Sequence, residues 1–528
     1  MAESSNVMTY LETWSSKQPD NLALAFAERS YTYAEVEAET NRLAYGLSEL
    51  GVKKGDSVCL LMPNCAEFVF MWFALARIGA ISAPVNGEYT GDRLARLINL
   101  SKARVVVSDA RFDSVLTGAI DLAPQVHTII RTGSDEVFRP EQCRVIAFSD
   151  FGMAGTAALS PIPVRPNDPL MLVFTSGSTG EAKAVELSHG YALFSVMNKV
   201  RHMGYCREDV FFTCLPLFHA SAALETVLPA IILGTSAAVI EKFSASQFWE
   251  QIRRFNATVF VAVGAMQGIL LKQPPSDRDR DHRVQRVICG AVHDRVREFE
   301  DRFGIRVLQY YGSTECGSVA FNLDGKAEPG LIGRASENHE IIVADEDDRP
   351  VPIGMVGQLL VRPKVPQASM TGYFGDGAET ARVWRNLWYH TGDLGYSDSS
   401  GTLHFAGRAK DVIRRRGRQV APAEIETVIR AHRDISDCAA IGVPSELSDE
   451  EVKIVLEPIP GAEPSIEEIM NLVHERLPRY MYPRYIEFVD EIPKLAVGKV
   501  DKSALRKNWQ TPRTIDVEKL GTAEASSP

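Results

Sequence analysis

Several features that would mark other protein classes are missing from this chain. Its eight cysteines form no C-x-x-C pair and no metal-ligand spacing in 528 residues. Zinc sites and redox motifs require such pairs, whereas scattered thiols are typical of reduced cytosolic proteins. Basic residues are in deficit, with 57 Lys and Arg against 68 Asp and Glu and a net charge of −11. Because general nucleic-acid binding needs a basic footprint, we expect no nucleic-acid partner.

Long apolar runs and targeting segments are also missing. The most apolar stretch, residues 222–240, contains Glu225, Pro229 and Gly234. A membrane span needs roughly 20 consecutive apolar residues, so this stretch predicts buried core instead. The first residues show no basic start followed by an apolar segment, and the last three are no peroxisomal address. We therefore expect a cytoplasmic protein without a membrane span.

The chain is rich in alternating strand and helix patterns. Apolar runs at residues 58–62, 81–84 and 105–108 predict buried strands, and residues 68–78 predict a helix between two of them. Thr32 and Glu35 have the spacing of a helix capping box. Such alternation is typical of βαβ units, so we expect an α/β fold with parallel sheets. Past residue 425 two strands, a helix and a third strand predict a smaller α+β module.

A loop rich in glycine and hydroxyl groups follows the apolar strand pattern at residues 170–174. Glycines allow close backbone approach, hydroxyl and N–H groups can hold phosphate oxygens, and a lysine adds a positive charge. The loop is not a Walker A sequence, because no Gly-Lys-Ser/Thr closes it. A flexible linker is the alternative, yet linkers do not usually leave an apolar strand and end in one lysine. The predicted phosphate-binding residues are Thr175, Ser176, Gly177, Ser178, Thr179, Gly180 and Lys183.

Four further motifs follow this loop in the chain, at residues 309–317, 388–395, 407–426 and 493–501. Together the five motifs resemble the adenylate-forming superfamily of acyl-CoA synthetases, luciferases and peptide-synthetase adenylation domains, over about the whole chain. Two departures are visible: Ala182 and Ala184 flank Lys183 where the family usually has Pro-Lys-Gly. The change should alter loop stiffness rather than chemistry. A finer similarity, in residues 257–275, is to the crotonobetaine/carnitine-CoA ligase and medium-chain acyl-CoA ligase branches.

The resemblance implies roles in nucleotide binding. Tyr311 would stack on adenine, Thr314 would bond a phosphate and Glu315 would hold Mg²⁺, roles that suit these side chains. The alternative for this motif is a surface turn with a solvated Glu. Asp393 and Arg408 would contact the ribose, because a carboxylate accepts two hydroxyl donors well. The remaining implied nucleotide contacts are Gly290, Ala291, Gly312 and Lys499, and the implied catalytic set is Thr175, His219, Glu315 and Lys499.

An acyl pocket is implied by the same family. The family places a Pro-x-Phe-His segment beside this pocket, which implies a role for His219 at the pocket. Without the resemblance, a lone histidine on an apolar segment is usually a core residue. The segments expected to line the pocket are rich in small residues without Asp, Glu, Lys or Arg. Small side chains leave volume for a monocarboxylic acid larger than acetate with an uncharged body, not an amino acid. The pocket residues are His219, Ala220, Gly264, Ser313 and Gly317.

The resemblance also implies two domains and a hinge. We expect an N-terminal domain over residues 1–407, a hinge at 408–412 with Lys410 as its pivot, a mobile C-terminal domain at 413–510 and a disordered tail at 511–528. An arginine run follows the hinge, and it is either a solvated face or a site for the CoA phosphates, which guanidinium groups bind well. The candidate CoA residues are Arg414, Arg415, Arg416 and Arg418.

The function that follows is ATP-dependent ligation of a carboxylic acid to CoA through an acyl-adenylate, with ATP, Mg²⁺ and CoA as partners. Lys499 would bridge the carboxylate and the α-phosphate. A second possibility is transfer of the adenylate to a separate carrier protein or an amine. A third, a nucleotide-binding regulator, requires the loss of catalytic residues that are all present. We expect a monomer or a homodimer.

Overall fold

A computed structural model describes residues 6–133, 138, 140–153, 162–176, 182–322, 326–415, 418–420, 422–445, 450–494 and 500–519. The first part of the chain alternates strands and helices, as the sequence predicts. Its elements are α1 (Met8–Lys17), β1 (Leu22–Ala25), β2 (Ser30–Thr32), α2 (Tyr33–Glu49), β3 (Ser57–Leu61), α3 (Ala66–Ile78), β4 (Ile81–Pro84), α4 (Gly91–Ser101), β5 (Val105–Asp109), α5 (Asp113–Ile120), β6 (Thr128–Thr132), β7 (Arg144–Ala147), β8 (Pro169–Ser176), β9 (Ala182–Ser188) and α6 (His189–Met203).

The middle of the chain continues the alternation and then turns to antiparallel strands. Its elements are β10 (Val210–Thr213), α7 (Ala220–Ala222), a π-helical segment (Ala223–Val227), α8 (Leu228–Leu233), β11 (Ser236–Val239), α9 (Phe248–Arg254), β12 (Val259–Ala262), α10 (Gly264–Leu271), β13 (Arg286–Cys289), α11 (Val296–Phe303), β14 (Arg306–Ser313), β15 (Gly317–Phe321), β16 (Leu331–Ala335), β17 (His339–Ala344), β18 (Gly357–Pro363), β19 (Gly372–Tyr373), α12 (Gly377–Val383), β20 (Trp384–Arg385), β21 (Trp388–Ser397) and β22 (Leu403–Arg408).

The last part forms the smaller module. Its elements are a 3₁₀ turn (Ala409–Asp411), β23 (Ile413–Arg415), β24 (Arg418–Val420), α13 (Pro422–Arg430), β25 (Ile435–Pro444), β26 (Glu450–Pro458), α14 (Ile466–Arg476), β27 (Tyr485–Phe488), α15 (Lys502–Lys507) and β28 (Ile515–Asp516). In the described residues β25, β26, β27 and β28 form one sheet, and buried aliphatic side chains of α13 and α14 pack with it into one core.

Two large sheets build the rest of the molecule. In one, the neighbours β1, β11, β10, β12, β13 and β14 run parallel, and the sheet continues through β15, β16, β22, β21, β18 and β17. In the other, the order is β19, β9, β8, β4, β3, β5, β6 and β7. The principal core, which includes Trp72, Phe73 and Phe211, draws on residues of both sheets and of the helices packed on them. The predicted fold class, α/β with a small α+β C-terminal domain, is confirmed, whereas the domain boundaries stay predictions.

Local sequence explains where several elements begin. The Thr32 side chain accepts the Glu35 N–H, and the Glu35 carboxylate accepts the Thr32 N–H, so the predicted capping box starts α2. The stretch predicted as core at residues 222–240 folds into buried helices and β11. Within the described residues, no helix is long and apolar enough to cross a membrane.

The tail differs from the sequence expectation. Residues 511–519 are ordered, because β28 pairs antiparallel with β27 and extends the small sheet. The hydroxyls of Thr511 and Thr514 donate to the two oxygens of Glu487 at 2.7 and 2.9 Å. Glu487 is in turn ion-paired with buried Lys453. The polar composition of this segment, which suggested disorder, therefore serves a hydrogen-bond network; residues 520–528 lie outside the described part.

Candidate active site

The candidate site forms at one edge of the parallel sheet. Strands β10, β12, β13 and β14 are neighbours, and the chain leaves their carboxyl ends toward His219, Gly264, Gly290 and Thr314 respectively. Carboxyl ends of parallel strands share one edge, where ligands of α/β sheets bind. The topology therefore brings together residues that are almost a hundred positions apart in the sequence.

Glycines make the close packing at this edge possible. A Cβ at Gly264 would lie 2.8 Å from the carbonyl oxygen of Ala291, so a side chain there would push two strand-end turns apart. A Cβ at Gly312 would collide with the carbonyl of Gly317, which itself has φ of +70°. Gly317 has a left-handed backbone, which favours glycine. Gly264 and Gly312 approach backbone atoms of other residues too closely for a side chain. The predicted binding residues Gly264, Ala291, Gly312 and Gly317 thus line tight backbone contacts.

The implied ribose contacts form one cluster. The Tyr311 hydroxyl donates to Asp393 Oδ2 at 2.8 Å, and Arg408 Nε lies 3.2 Å from Asp393 Oδ1. Strand pairing fixes this geometry, because Asp393 on β21 is directly opposite Arg408 on β22. Burial raises the pKa of the Tyr311 hydroxyl well above its ordinary value of 10.0, so it remains a donor. The half-exposed Arg408 leaves one side of the cluster open.

A second chain of contacts joins the candidate metal residue to the phosphate loop. The Tyr373 hydroxyl donates to Glu315 Oε1 at 3.2 Å, and the Lys183 ammonium lies 5.1 Å from the centre of the Tyr373 ring. Lys183 is opposite Thr175 in the β8–β9 pair and makes an ion pair with Glu379. Arg382 also binds Glu379, and its hydrogen bond is the main cause that lowers the Glu379 pKa to about 2.

Two more predicted residues have structural contacts of their own. The carbonyl of Thr314 accepts a hydrogen bond from the Tyr191 hydroxyl at 2.9 Å, which leaves the Thr314 hydroxyl for other use. His219 precedes the first residue of α7, and its ring centre is 4.5 Å from that of Phe218. Ala220 begins α7 on the same segment, and Ser313 ends β14. The structure thus places these four positions beside the strand ends.

Some predicted site residues lie outside the described part of the chain. These are Gly177, Ser178, Thr179, Gly180, Arg416 and Lys499. Ser176 and Arg418 are described only as strand residues of β8 and β24. Their predicted roles in phosphate binding, CoA binding and catalysis therefore stay predictions.

The residues after β22 give a mixed outcome. Lys410 lies in the 3₁₀ turn Ala409–Asp411, and the neighbouring Asp411 pairs with Arg506 at 2.8 Å. Arg414 is exposed, as a CoA contact requires. Arg415 is buried instead: it is 2.6 Å from Glu451 and donates to two backbone carbonyls. The CoA role predicted for Arg415 is therefore corrected, because its guanidinium is consumed inside the small domain.

Sequence analysis missed two sets of charged residues. Glu379, which holds Lys183, lies in no recognised motif. Lys199, Glu225 and Tyr310 form a buried polar cluster, with Lys199 Nζ 3.0 Å from Glu225 Oε1 and the Tyr310 hydroxyl 3.0 Å from the same oxygen. A signal was present for the cluster, because a glutamate inside an apolar run must find a partner when it is buried.

The metal implied by the resemblance fits the residues described. Mg²⁺ usually keeps several waters and is held by one or two carboxylates together with substrate phosphates. Glu315 supplies one such carboxylate near the phosphate loop, where it accepts a hydrogen bond from Tyr373 at Oε1. In the described chain no group of three or more His, Cys, Asp or Glu side chains could hold a metal by itself. A single carboxylate is compatible with a metal that arrives with a nucleotide.

Comparisons with known proteins bear on this geometry. A family model described as "AMP-binding enzyme" matches residues 11–374, and one described as "AMP-binding enzyme C-terminal domain" matches residues 424–499. The crotonobetaine/carnitine–CoA ligase of Escherichia fergusonii is 31% identical over 484 residues, which cover 90% of this chain and 93% of that protein. The ATP-bound structure of MatB from Rhodopseudomonas palustris is 26% identical, covers 96% of this chain and 99% of that one, and has a TM-score of 0.85.

A third comparison supports the fold alone. An anthranilate CoA ligase in complex with anthranoyl-AMP is 24% identical, covers 96% of this chain and 98% of that one, and has a TM-score of 0.86. The chain belongs to the AMP-binding enzyme family. Within that family its similar proteins are acid–CoA ligases, which confirms the adenylate-forming ligase and the use of ATP, Mg²⁺ and CoA expected from the sequence.

Proposed function

We propose that this chain activates a monocarboxylic acid with ATP and transfers the acyl group to CoA, and that the residues brought together above carry out the first step. The observation that supports this most is that Tyr311 and Arg408 both contact Asp393, while Tyr373 contacts both Glu315 and Lys183. One cluster can hold a ribose and the other can hold phosphates.

The chemistry has two steps. A carboxylate oxygen of the acid attacks the α-phosphorus of ATP, the bond from that phosphorus to the pyrophosphate oxygen breaks, and an acyl-adenylate forms. The CoA thiolate then attacks the acyl carbon, and AMP leaves with the bond electrons. The protein positions the reactants and compensates charge. In this proposal Lys183 neutralises the phosphates, Thr175 and Thr314 donate hydroxyls to them, and Lys499 bridges the carboxylate and the α-phosphate. Mg²⁺, held by Glu315, would supply further charge compensation.

The second step is proposed to follow a domain rotation about Lys410. In the present arrangement the small module contacts the large domain, since Lys272 donates to Ser436 at 2.7 Å and Arg430 lies 3.8 Å from Asp294. A rotation must break both contacts, of which the first is exposed and the second, with both side chains 30% exposed, is partly buried. Domain motion of this kind commonly contributes to turnover. The exposed Arg414 is a candidate contact for the CoA phosphates.

The acid is proposed to be larger than acetate, since the small residues Ala220, Gly264, Ser313 and Gly317 leave room beside His219. One relative is named for crotonobetaine and carnitine, and a protein of similar fold is an anthranilate CoA ligase. Transfer to a separate carrier protein or an amine is the second candidate for the acceptor. A cytoplasmic location and a monomeric or homodimeric state stay predictions.

The test follows pyrophosphate and thioester separately. The chain is incubated with ATP, Mg²⁺ and a panel of straight-chain and aromatic acids, with and without CoA. Pyrophosphate release that depends on the acid, followed by acyl-CoA formation only when CoA is present, is the expected result. Release without any acyl-CoA would move the acceptor to a carrier or an amine. No acid-dependent release with any member of the panel would refute the proposed function.

A further inference from the structure

The buried cluster of Lys199, Glu225 and Tyr310 has no part in the reaction proposed above. Lys199, on α6, has no exposed surface and lies 3.0 Å from Glu225. The Tyr310 hydroxyl reaches both oxygens of Glu225, at 3.0 and 3.1 Å, and Lys199 donates to the Ser318 hydroxyl at 2.6 Å. Desolvating two charges is costly, and apolar residues of similar volume often do as well or better. Stability alone therefore does not explain this buried ion pair.

The cluster borders the proposed acyl pocket. Glu225 lies in the π-helical segment Ala223–Val227, which continues α7 directly after His219 and Ala220. Such π-helical segments are frequent at functional sites. On the opposite side, a Cβ at Gly290 would lie 3.8 Å from the Tyr310 hydroxyl, so that hydroxyl faces the turn at the end of β13. The Glu225 carboxylate thus lies between the helix that carries the pocket residues and the strand end that faces it.

Of the two charged groups in the cluster, the Glu225 carboxylate is the one that a ligand can reach. Glu225 keeps 11% of its side chain accessible, whereas Lys199 keeps none. A carboxylate has about four acceptor positions, and the described contacts from Lys199 and Tyr310 do not fill them. A ligand that completes this cluster must therefore donate.

Charge decides which kind of donor fits. Lys199 already neutralises Glu225, so a cationic substrate would bring a net positive charge into a buried site. A hydroxyl or a neutral amino group brings no charge and still satisfies an acceptor. An apolar chain end would leave that acceptor without a partner. A neutral donor on the substrate is therefore favoured over a cationic group and over an apolar chain end.

We propose, on the basis of the proposed function, that the preferred acid carries a hydroxyl or neutral amino group on the part remote from its carboxylate, and that this group donates to Glu225. This assignment narrows the substrate class from any medium-sized monocarboxylic acid to two kinds of acid. These are hydroxy acids and acids with an amino group on an aromatic ring, such as aminobenzoates. Glu225 acts here as a specificity-determining residue and takes no part in bond formation.

The experiment uses acids in matched pairs and measures kcat/KM for pyrophosphate release by the full-length protein. The pairs are hexanoate with 6-hydroxyhexanoate, benzoate with its hydroxy and amino derivatives, and 5,5-dimethylhexanoate with its cationic isostere 4-trimethylammoniobutanoate. A hydrogen bond to a charged group changes affinity by roughly tenfold to a hundredfold. We therefore expect at least one hydroxy- or amino-substituted acid to have a kcat/KM about tenfold above that of its unsubstituted partner. The cationic acid should show no such advantage over its neutral isostere.

Variants connect the preference to the cluster. Glu225→Gln is the direct change, but it leaves Lys199 buried without its charge partner. The double variant Lys199→Met/Glu225→Leu removes both charges together, which buried pairs often tolerate. In this double variant the kcat/KM ratio within the preferred pair of acids should fall to about one. The control is Lys453→Met/Glu487→Leu, which removes a similarly buried pair in the small module and should leave the ratio unchanged.

The possible outcomes are distinguishable. Equal kcat/KM within every pair, a preference for the cation, or a hydroxy-acid preference that survives in Lys199→Met/Glu225→Leu would overturn the inference while the ligase function stands. A failure of all acids to release pyrophosphate would instead overturn the proposed function on which it rests. A preference that is lost in the double variant and kept in the Lys453→Met/Glu487→Leu control would support it.

Discussion

Glu379 is predicted to compete with ATP for Lys183. The Lys183 side chain is only 13% exposed and Glu379 14%, so their ion pair is better shielded than a surface pair. In the proposed function Lys183 turns toward a phosphate when ATP binds, and that movement breaks this contact. A hydrogen bond between charged groups is worth about 1.5–3 kcal/mol, or roughly tenfold or more in affinity. Gln retains a neutral acceptor, so Glu379→Gln should lower the KM for ATP by part of that amount, about three- to tenfold.

The assay is the initial rate of acid-dependent pyrophosphate release over a range of ATP concentrations. Two controls accompany it. Arg382→Gln removes the other partner of Glu379, frees no lysine and should not lower the KM for ATP. Glu298→Gln removes an exposed helical pair with Arg295 and should change nothing. An unchanged or raised KM for ATP in a folded Glu379→Gln protein would show that Lys183 is not restrained by this carboxylate.

The pH dependence of this pair has a definite sign. Contacts with Arg382 and then Lys183 lower the pKa of Glu379 from 4.5 to about 2. A lowered carboxyl pKa gives stability that is fully present above 4.5 and is lost as the pH falls through 4.5 toward 2. The difference in Tm between the native protein and Glu379→Gln should therefore shrink over that acidic range. Between pH 6 and 9 Glu379 does not titrate, and the ratio of the two KM values for ATP should stay constant.

Three further predictions concern the two steps and their separation. Lys499→Ala should reduce adenylate formation by ~10²–10³ while a supplied acyl-adenylate still yields thioester; near-normal pyrophosphate exchange would contradict this. Lys410→Pro should preserve adenylation and block thioester formation, because proline fixes φ at a pivot; an equal loss in both steps would make Lys410 a structural residue. Arg414→Ala should raise the KM for CoA alone, and an unchanged KM for CoA would leave Arg414 a solvated residue. Arg415→Ala should instead lower Tm, since Arg415 is paired with buried Glu451.

The sequence was most informative where the chain forms buried strands. The pattern at residues 81–84 matches β4. Residues 105–108, with three successive valines, fall within β5, because β-branched residues suit strands covered on both faces. Parallel order then places the loops after β12, β13 and β14 at one edge, which is why distant motifs meet. The predicted ribose contacts Asp393 and Arg408 meet for a different reason, because the antiparallel strands β21 and β22 place them opposite each other.

Partners that come from other elements could not be predicted in the same way. Glu379 meets Lys183 only because β19 and α12 return to the phosphate-loop strands, and no local pattern announces that return. The burial of Arg415 was missed for a different reason. Side chains alternate along a strand, so neighbouring arginines on β23 must face opposite ways, and the exposed Arg414 and buried Arg415 do so.

The pairing of β19 with β9 has a consequence for synthesis. Gly372 and Tyr373 lie opposite Glu186 and Val185, so β9 remains an uncovered edge until the ribosome has made the chain past β19. An uncovered edge strand is a template for pairing with another chain. The nascent protein therefore passes through a stage in which its phosphate-loop hairpin is open to intermolecular strand addition. Translation that stalls before β19 should release fragments that aggregate, and chaperones that shield extended segments should be needed at that stage.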